Sequence, residues 1–142
     1  MKISIGSDHG GFTLKEQIIK HLNELEYEVT DCGCFSLESC DYPIYAKKVA
    51  YDVQNENVDF GILICTTGIG MSITANKVKG VRAALVTNED AAHLTRKHNN
   101  SNIICLGAKY TSYEDAIKYI DIFLNEKFEG GRHLRRVNLI EE

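Results

Sequence analysis

The sequence predicts an α/β protein in which a five-stranded parallel sheet is covered by helices on both faces. Three observations support this fold class: five short runs rich in β-branched and apolar residues, stretches of helical periodicity between them, and a strict alternation of the two. Right-handed crossovers carry the chain back over the sheet after each strand, so this alternation favours parallel strands between two helical layers. With 142 residues and 44% hydrophobic side chains, we expect a single domain over residues 1–142.

Each predicted strand is bounded by Gly, Asp or Asn, which commonly end strands. In chain order the predicted strands are Lys2–Gly6, Tyr27–Asp31, Asp59–Cys65, Val81–Val86 and Asn102–Leu106. Helical periodicity is clearest in Leu14–Leu25 and Tyr113–Leu124, where apolar residues recur every three or four positions. The predicted helices are Leu14–Leu25, Ile44–Gln54, Met71–Val78, Glu89–His98 and Tyr113–Leu124.

Five strands connected in this way predict the sheet order 2-1-3-4-5. The first and third strands are then neighbours whose following helices leave toward opposite faces, which opens a crevice at their carboxyl ends. Two glycine-containing loops follow these strands, Ser7–Gly11 and Cys65–Gly70. We therefore expect a ligand between the two loops. The alternative is that the glycines only turn each strand into its helix.

Cys65 ends the apolar run Gly61–Ile64 and precedes a predicted helix, whose unpaired N–H groups and dipole favour negative charge. That setting favours a thiolate, so Cys65 is a candidate catalytic base; the alternative is a buried cysteine packed as a small hydrophobe. The amides of Thr66–Gly70 could bind a phosphate or the oxygen of an enediolate. A cysteine-dependent phosphatase would need an arginine six positions after the cysteine, and that position is Met71.

Polar residues near the other predicted strand and helix ends are further candidates. Asp8 and His9 offer a carboxylate and an imidazole for proton transfer or for holding sugar hydroxyls, although Asp8 could instead be a helix N-cap. His98 ends the fourth helix, where the alternative role is a partner of the helix dipole. Arg132 and Arg136 are four residues apart and share one helical face, so they could clamp a phosphate; the alternative is a solvated basic terminus.

Composition narrows the class of partner. The net charge is -4 and no dense lysine and arginine run precedes the last part of the chain, which argues against nucleic acid or an anionic membrane as partner and favours a small molecule. The start of the sequence does not resemble a signal peptide, and no apolar run approaches membrane-spanning length.

Five cysteines do not suggest a disulfide framework, so we expect reduced thiols and a cytoplasmic protein. Cys32 and Cys34 lack a second ligand pair at zinc spacing, so we expect no metal site.

Several motifs in consistent order resemble those of the ribose-5-phosphate isomerase type B family, whose relatives include the subunits of galactose-6-phosphate isomerase. The motifs are G-x-D-H-x-G at Gly6–Gly11, D-Y-P at Asp41–Pro43, G-I-L-I-C-x-T-G-x-G-x-S at Gly61–Ser72, A-N-K at Ala75–Lys77, H-N-N at His98–Asn100 and G-G-R-H-x-x-R-V at Gly130–Val137. The resemblance implies a Rossmann-like fold and a sugar-phosphate isomerase without metal or organic cofactor. It also implies a homodimer or a dimer of dimers, with an active site shared between subunits.

Carried over to this sequence, the resemblance implies a role for each motif residue. Cys65 would move a proton between C2 and C1 of the open-chain sugar, and Asp8 would move one between the two oxygens. His98 with Thr67 would open the furanose ring. The residues implied in binding are the enediolate-binding loop Thr66, Thr67, Gly68, Ile69 and Gly70, the sugar-lining Tyr42 and Asn99, and the phosphate-binding His9, Arg132 and Arg136.

Two positions depart from the family pattern. Thr66 stands where the family usually has glycine, and a β-branched residue there would be strained if the backbone needed a positive φ. Lys109 stands where arginine is common, and lysine lacks the planar fork that grips phosphate. The leading prediction is an aldose–ketose isomerase that interconverts ribose 5-phosphate and ribulose 5-phosphate. Because of these two departures, a six-carbon sugar phosphate such as allose or galactose 6-phosphate is the alternative substrate. A non-catalytic module that binds a sugar phosphate or nucleotide is the alternative from another class.

Overall fold

The computed structural model describes the whole chain, Met1–Glu142. All five predicted strands and all five predicted helices are present, and a final helix carries the Arg132 and Arg136 pair. The elements are β1 (Lys2–Ser7), a short 3-10 turn (His9–Gly11), α1 (Phe12–Glu24), β2 (Glu28–Asp31), α2 (Tyr42–Gln54), β3 (Phe60–Cys65), α3 (Ile69–Ala75), β4 (Ala83–Leu85), α4 (Glu89–Asn99), β5 (Ile103–Gly107), α5 (Tyr113–Asn125) and α6 (Arg132–Glu141).

The strands form one parallel sheet in the order β2-β1-β3-β5-β4. The predicted fold class is confirmed, and so is the predicted contact between β1 and β3, in which Ser7 lies opposite Ile64. The predicted order of the last two strands is wrong. Instead of 2-1-3-4-5, β5 pairs with β3 and β4 lies outside it at the edge of the sheet.

The burial of the two strands explains this order. Every residue of β5 is buried, whereas β4 has only three residues and its Leu85 is 37% exposed. A strand that is apolar on both faces belongs in the interior of a parallel sheet, while a short and partly exposed strand is tolerated at an edge. Hydrophobic burial therefore places β5 between β3 and β4.

Helices cover both faces of the sheet. Helices α1, α4 and α5 pack on one face through a core that includes Leu14, Ala92 and Ile120. Helices α2 and α3 pack on the other face through a second core, to which Cys65 and Met71 belong. Side chains alternate between faces along a strand, so Cys65 faces α2 and α3, while Ile64 faces the other layer. None of the helices combines the length and the apolar character needed to cross a membrane.

The ends of the parallel strands define two further sides of the sheet, which we call the carboxyl edge and the amino edge. The loops after β1, β3 and β5 lie at the carboxyl edge. The link from α4 to β5 lies at the amino edge, where the Asn102 amide donates to the Arg82 carbonyl at 3.0 Å beside the start of β4. Helix α6 ends at the same edge, because the Arg82 guanidinium lies 2.6 Å from the Glu141 carboxylate.

Candidate active site

The loops after β1 and β3 lie side by side at the carboxyl edge. The Asp8 amide donates to the Ile64 carbonyl at 3.3 Å. Two glycines permit this closeness: a Cβ on Gly11 would lie 2.5 Å from the Ile64 oxygen, and one on Gly10 would collide with the Thr66 hydroxyl. The predicted meeting of the two loops is therefore present, and the glycines have a packing reason beyond turning the chain.

Cys65 lies at the centre of this edge. Its Sγ accepts a hydrogen bond from the Gly68 amide at 3.1 Å. Gly68 adopts a left-handed conformation with φ of 77°, which a glycine tolerates without strain and which directs its N–H back at the sulfur. A donor aimed at sulfur stabilises negative charge there. Only 5% of Cys65 is exposed, so the thiol is packed as a buried residue and also carries a contact suited to a thiolate.

Asp8 caps the short 3-10 turn, as the alternative interpretation of this residue anticipated. Its Oδ1 accepts hydrogen bonds from the amides of Gly10 at 2.9 Å and Gly11 at 3.2 Å. Because both bonds use Oδ1, the cap holds the carboxylate in one orientation and leaves Oδ2 for another partner. The residue is 6% exposed. Capping and proton transfer are therefore compatible at Asp8.

His9 and Tyr42 flank the two loops. The Cys40 amide donates to His9 Nδ1 at 3.2 Å, so a neutral His9 carries its proton on Nε2 and can donate that proton to an anion. The ring of Tyr42, at the start of α2, packs against Gly70, where an added Cβ would lie 2.6 Å from Tyr42 Cε2. Both residues therefore lie beside the two loops.

The loop after Cys65 uses some of its own amides. The Gly68 amide is committed to Cys65, and the Ile69 amide donates to Thr67 Oγ1 at 3.2 Å. The amides of Thr66, Thr67 and Gly70 remain for a bound anion. Thr66 does not have a positive φ, so the strain considered for a β-branched residue at this position does not arise. The sequence predicted five amide donors, and the geometry provides three.

The remaining predicted residues lie at the amino edge. His98 and Asn99 end α4, and Arg132 and Arg136 occupy the first turns of α6. The His98 ring stacks on the His133 ring with centroids 4.2 Å apart and planes inclined by 11°. A cavity of about 630 Å³ opens at this edge and includes Asn99 in its lining. We call these four predicted residues the amino-edge group, and Asp8, His9, Tyr42 and Cys65–Gly70 the carboxyl-edge group.

The two groups do not meet within one chain. Cys65 lies opposite Gly107 at the end of β5, whereas His98 lies before Ile103 at its beginning. Four residue steps of about 3.3 Å separate the two ends of that strand by roughly 13 Å. Their side chains also belong to opposite helical layers. A single chain therefore holds two incomplete sets of the predicted site residues.

Comparison with known proteins identifies the family. A sequence model described as Ribose/Galactose Isomerase matches residues 3–140. The chain belongs to the ribose/galactose isomerase family. Among curated members of this family, it is similar to ribose-5-phosphate isomerase B of Escherichia coli strain K12, with 46% identity over 98% of this chain and 93% of the relative.

Solved structures of the family have the same fold. Ribose-5-phosphate isomerase B of Clostridium thermocellum superposes with a TM-score of 0.98 and 48% identity, covering 99% of this chain and 95% of the other. Ribose-5-phosphate isomerase B of Mycoplasma genitalium, solved with bound ribulose-5-phosphate, superposes with a TM-score of 0.94 and 46% identity, covering 99% of this chain and 93% of the other. The predicted family and fold class are thereby confirmed over 99% of the chain.

Sequence reasoning assigned no role to two residues that contact the amino-edge group. His133 lies inside the G-G-R-H motif and stacks on His98, and Glu129 Oε2 lies 3.4 Å from His133 Nε2. In this segment the sequence favours the two arginines as ligands, because a guanidinium group can bind phosphate bidentately. The contact between His133 and His98 joins α6 to α4 and has no signature in a single sequence.

Proposed function

We propose that this chain interconverts ribose 5-phosphate and ribulose 5-phosphate as an aldose–ketose isomerase, with Cys65 as the carbon base. The hydrogen bond from the Gly68 amide to Cys65 Sγ carries the proposal, because it presents a charge-stabilised sulfur at the edge where the two glycine loops meet. The similarity to a family member solved with ribulose-5-phosphate supports the substrate class. The whole chain, residues 1–142, acts as one isomerase domain.

The reaction follows from the residues of the carboxyl-edge group. The thiolate of Cys65 takes the C2 proton of the open-chain aldose, and the electron pair forms the C1–C2 double bond of an enediolate. The charge that develops on O1 meets the free amides of Thr66, Thr67 and Gly70, where one such donor contributes about 2.7–4 kcal/mol. Cys65 then returns the proton to C1. Asp8 Oδ2 moves the remaining proton between O2 and O1, so that the ketose forms without net gain or loss of protons.

Ring opening and phosphate binding need the amino-edge group of a second copy. His98 of that copy opens the furanose ring, with Thr67 assisting, Asn99 contacts the sugar, and Arg132 and Arg136 bind the phosphate together with His9. Two observations support a shared site: the separation of the groups within one chain, and uncovered apolar side chains on α3 beside the Cys65 loop. Ile69 and Ile73, one helical turn apart, are 50% and 60% exposed. A homodimer with an isologous interface, or a dimer of dimers, would cover them and complete two sites.

Replacing Cys65 by alanine tests the proposal. We expect Cys65→Ala to lose turnover of ribose 5-phosphate while it still binds the sugar phosphate. Cys32→Ser is the matched control, because burial and then the charge of Asp52 raise the pKa of Cys32 to about 11, which makes it a protonated structural thiol. Wild-type-like turnover by Cys65→Ala would refute the cysteine base.

Six-carbon sugar phosphates are the alternative substrates within the same chemistry. Thr66 and Lys109 lie together beside the site, since the Lys109 amide donates to the Thr66 carbonyl at 3.0 Å. Assays with ribose 5-phosphate, allose 6-phosphate and galactose 6-phosphate decide between them. If the purified protein binds these sugars and converts none, the chain is a non-catalytic binding module and not an enzyme.

Five free cysteines fit a cytoplasmic enzyme, and the reaction fits the pentose phosphate pathway.

A further inference from the structure

His133 has no role in the proposed reaction, yet it is placed against the histidine that opens the ring. Its residue surface is 5% exposed, and its ring lies on the His98 ring at a centroid distance of 4.2 Å. The buried Nε2 has no hydrogen-bond partner. Its nearest acidic neighbour, Glu129 Oε2, lies 3.4 Å away but outside hydrogen-bond geometry. A buried polar nitrogen without a partner is costly, so a purely structural role explains this residue poorly.

The same three side chains resemble a cation site, but their geometry favours a stack. Ligand atoms of His98, Glu129 and His133 lie within 4.8 Å of one another. The lone pair of an imidazole nitrogen lies in the plane of its ring, and the two planes are inclined by only 11°. Two nearly parallel rings cannot both direct lone pairs at one ion at about 2.0–2.1 Å. The arrangement is therefore a ring stack with a carboxylate at its side.

The surroundings of His133 keep it uncharged at neutral pH. Burial lowers the pKa of His133, and the charges of His98, Arg132 and Arg136 lower it further, while Glu129 opposes them. These groups face His133 from α4, from the segment before α6 and from α6 itself. A neutral aromatic ring then covers one face of His98. Such a face attracts the positive charge that His98 acquires when it accepts a proton.

We propose that His133 is a positioning residue for ring opening: its buried ring fixes the plane of the His98 ring and so the direction of the His98 nitrogens. The inference rests on the proposed function. In the step itself, His98 takes the proton of the anomeric hydroxyl, the C1–O1 double bond forms as the C1–O4 bond breaks, and the protonated His98 returns that proton to O4. His133 does not touch the sugar. It acts through the orientation of the ring that does.

Two assays separate ring opening from enolisation. Ribose 5-phosphate is a furanose and must be opened, whereas ribulose 5-phosphate is open-chain because its C5 oxygen carries the phosphate. Turnover of ribose 5-phosphate therefore reports both steps. Exchange of a C1 proton of ribulose 5-phosphate for deuterium in D2O, followed by NMR, reports the Cys65 step alone. Two reference variants calibrate the pair: Cys65→Ala should lose both signals, and His98→Asn should lose turnover and keep exchange.

We expect His133→Ala to lower turnover of ribose 5-phosphate by about tenfold and to leave exchange within about twofold of wild type, since a misdirected proton-transfer group forfeits part of its contribution. His133→Phe keeps an aromatic face without the nitrogens and should restore most of the turnover. Retained exchange also shows that the variant is folded and that the shared site is assembled.

Three outcomes would overturn the inference: unchanged turnover in His133→Ala, an equal loss of turnover and exchange, or a loss in His133→Phe as large as in His133→Ala. The proposed function fails differently, because exchange would then persist in Cys65→Ala or be absent from the wild type. The two failures are distinguishable in one set of measurements.

Discussion

The ammonium group of Lys15, which is fully buried on α1, lies 2.8 Å from the carboxylate of Asp31 at the end of β2. The same carboxylate accepts a hydrogen bond from the Gly33 amide at 2.9 Å, so the ion pair also holds the beginning of the segment that leads to Cys40. The Cys40 amide in turn donates to His9. A chain of contacts thus connects a buried charge in the helical layer with a residue of the carboxyl-edge group.

Removing the lysine of this pair should destabilise the fold. We expect Lys15→Met to lower the free energy of unfolding by about 2 kcal/mol, because it leaves the 30% exposed Asp31 carboxylate without its charged partner. The double variant Lys15→Met with Asp31→Asn should recover part of the loss. Urea unfolding followed by circular dichroism measures both values. Lys20→Met, on the exposed side of the same helix, is the control and should change the stability little; equal effects at the two lysines would contradict the argument.

Gly68, the left-handed glycine whose amide donates to Cys65, allows a test of that hydrogen bond. A Cβ on Gly68 would lie 2.6 Å from Leu85 Cδ1 and 2.8 Å from the Leu106 carbonyl carbon, whereas one on Gly80, whose φ is 85°, would meet nothing within 4 Å. Gly80→Ala therefore incurs only backbone strain, on the order of 1 kcal/mol. Gly68→Ala should lose more stability and should also lose isomerase activity, because the amide that faces the sulfur is displaced. Similar stability losses and unchanged activity in both variants would exclude this role for Gly68.

The proposed sharing of the site between two copies predicts complementation between inactive variants. A hybrid dimer of Cys65→Ala and His98→Asn contains one intact site and one site that lacks both residues. Random reassortment makes about half of the dimers hybrid, so the mixture should regain roughly a quarter of wild-type activity after co-refolding. Each variant refolded alone is the control. If the mixture stays as inactive as its components, the site lies within a single chain.

The depressed pKa of His133 predicts a pH dependence of stability. Below its ordinary value of 6.5, the unfolded chain binds a proton that the folded chain resists, so the free energy of unfolding should fall as the pH drops. His133→Phe removes this contribution. We therefore expect the variant to have a shallower decline in stability than the wild type between about pH 7 and pH 5, measured by urea unfolding at each pH. If the stability of the two proteins declines in parallel, the pKa of His133 is not lowered in the folded chain.

Local pattern predicted the strands, the helices and the meeting of two loops, because periodicity and glycine content act over short stretches of chain. The order of β4 and β5 was not predictable from alternation alone, since that order depends on which strand buries more apolar surface on both faces. The full burial of Ile103–Gly107 decides it. The signal lies in the four consecutive apolar residues Ile103–Leu106, which are larger and more hydrophobic than those of Ala83–Leu85.

The sequence predicted which two loops would meet, but not how far from them the other candidate residues would lie within one chain. Cys65, Asp8 and His9 come together at one edge, whereas His98 lies about one strand length away, because α4 runs back along the sheet before β5 begins. The sequence also did not predict that the Gly68 and Ile69 amides donate to side chains of their own loop, since these hydrogen bonds depend on the left-handed turn at Gly68. The roles of the individual site residues stay predictions until variants are assayed.

If the site is shared between two copies as proposed, the position of His98 at the far edge from Cys65 means that folding alone does not make a catalyst from this chain. A correctly folded monomer would be inert, and specific activity would fall on dilution below the dissociation constant of the pair. Any agent that separates the subunits would then be an inhibitor without occupying the sugar pocket.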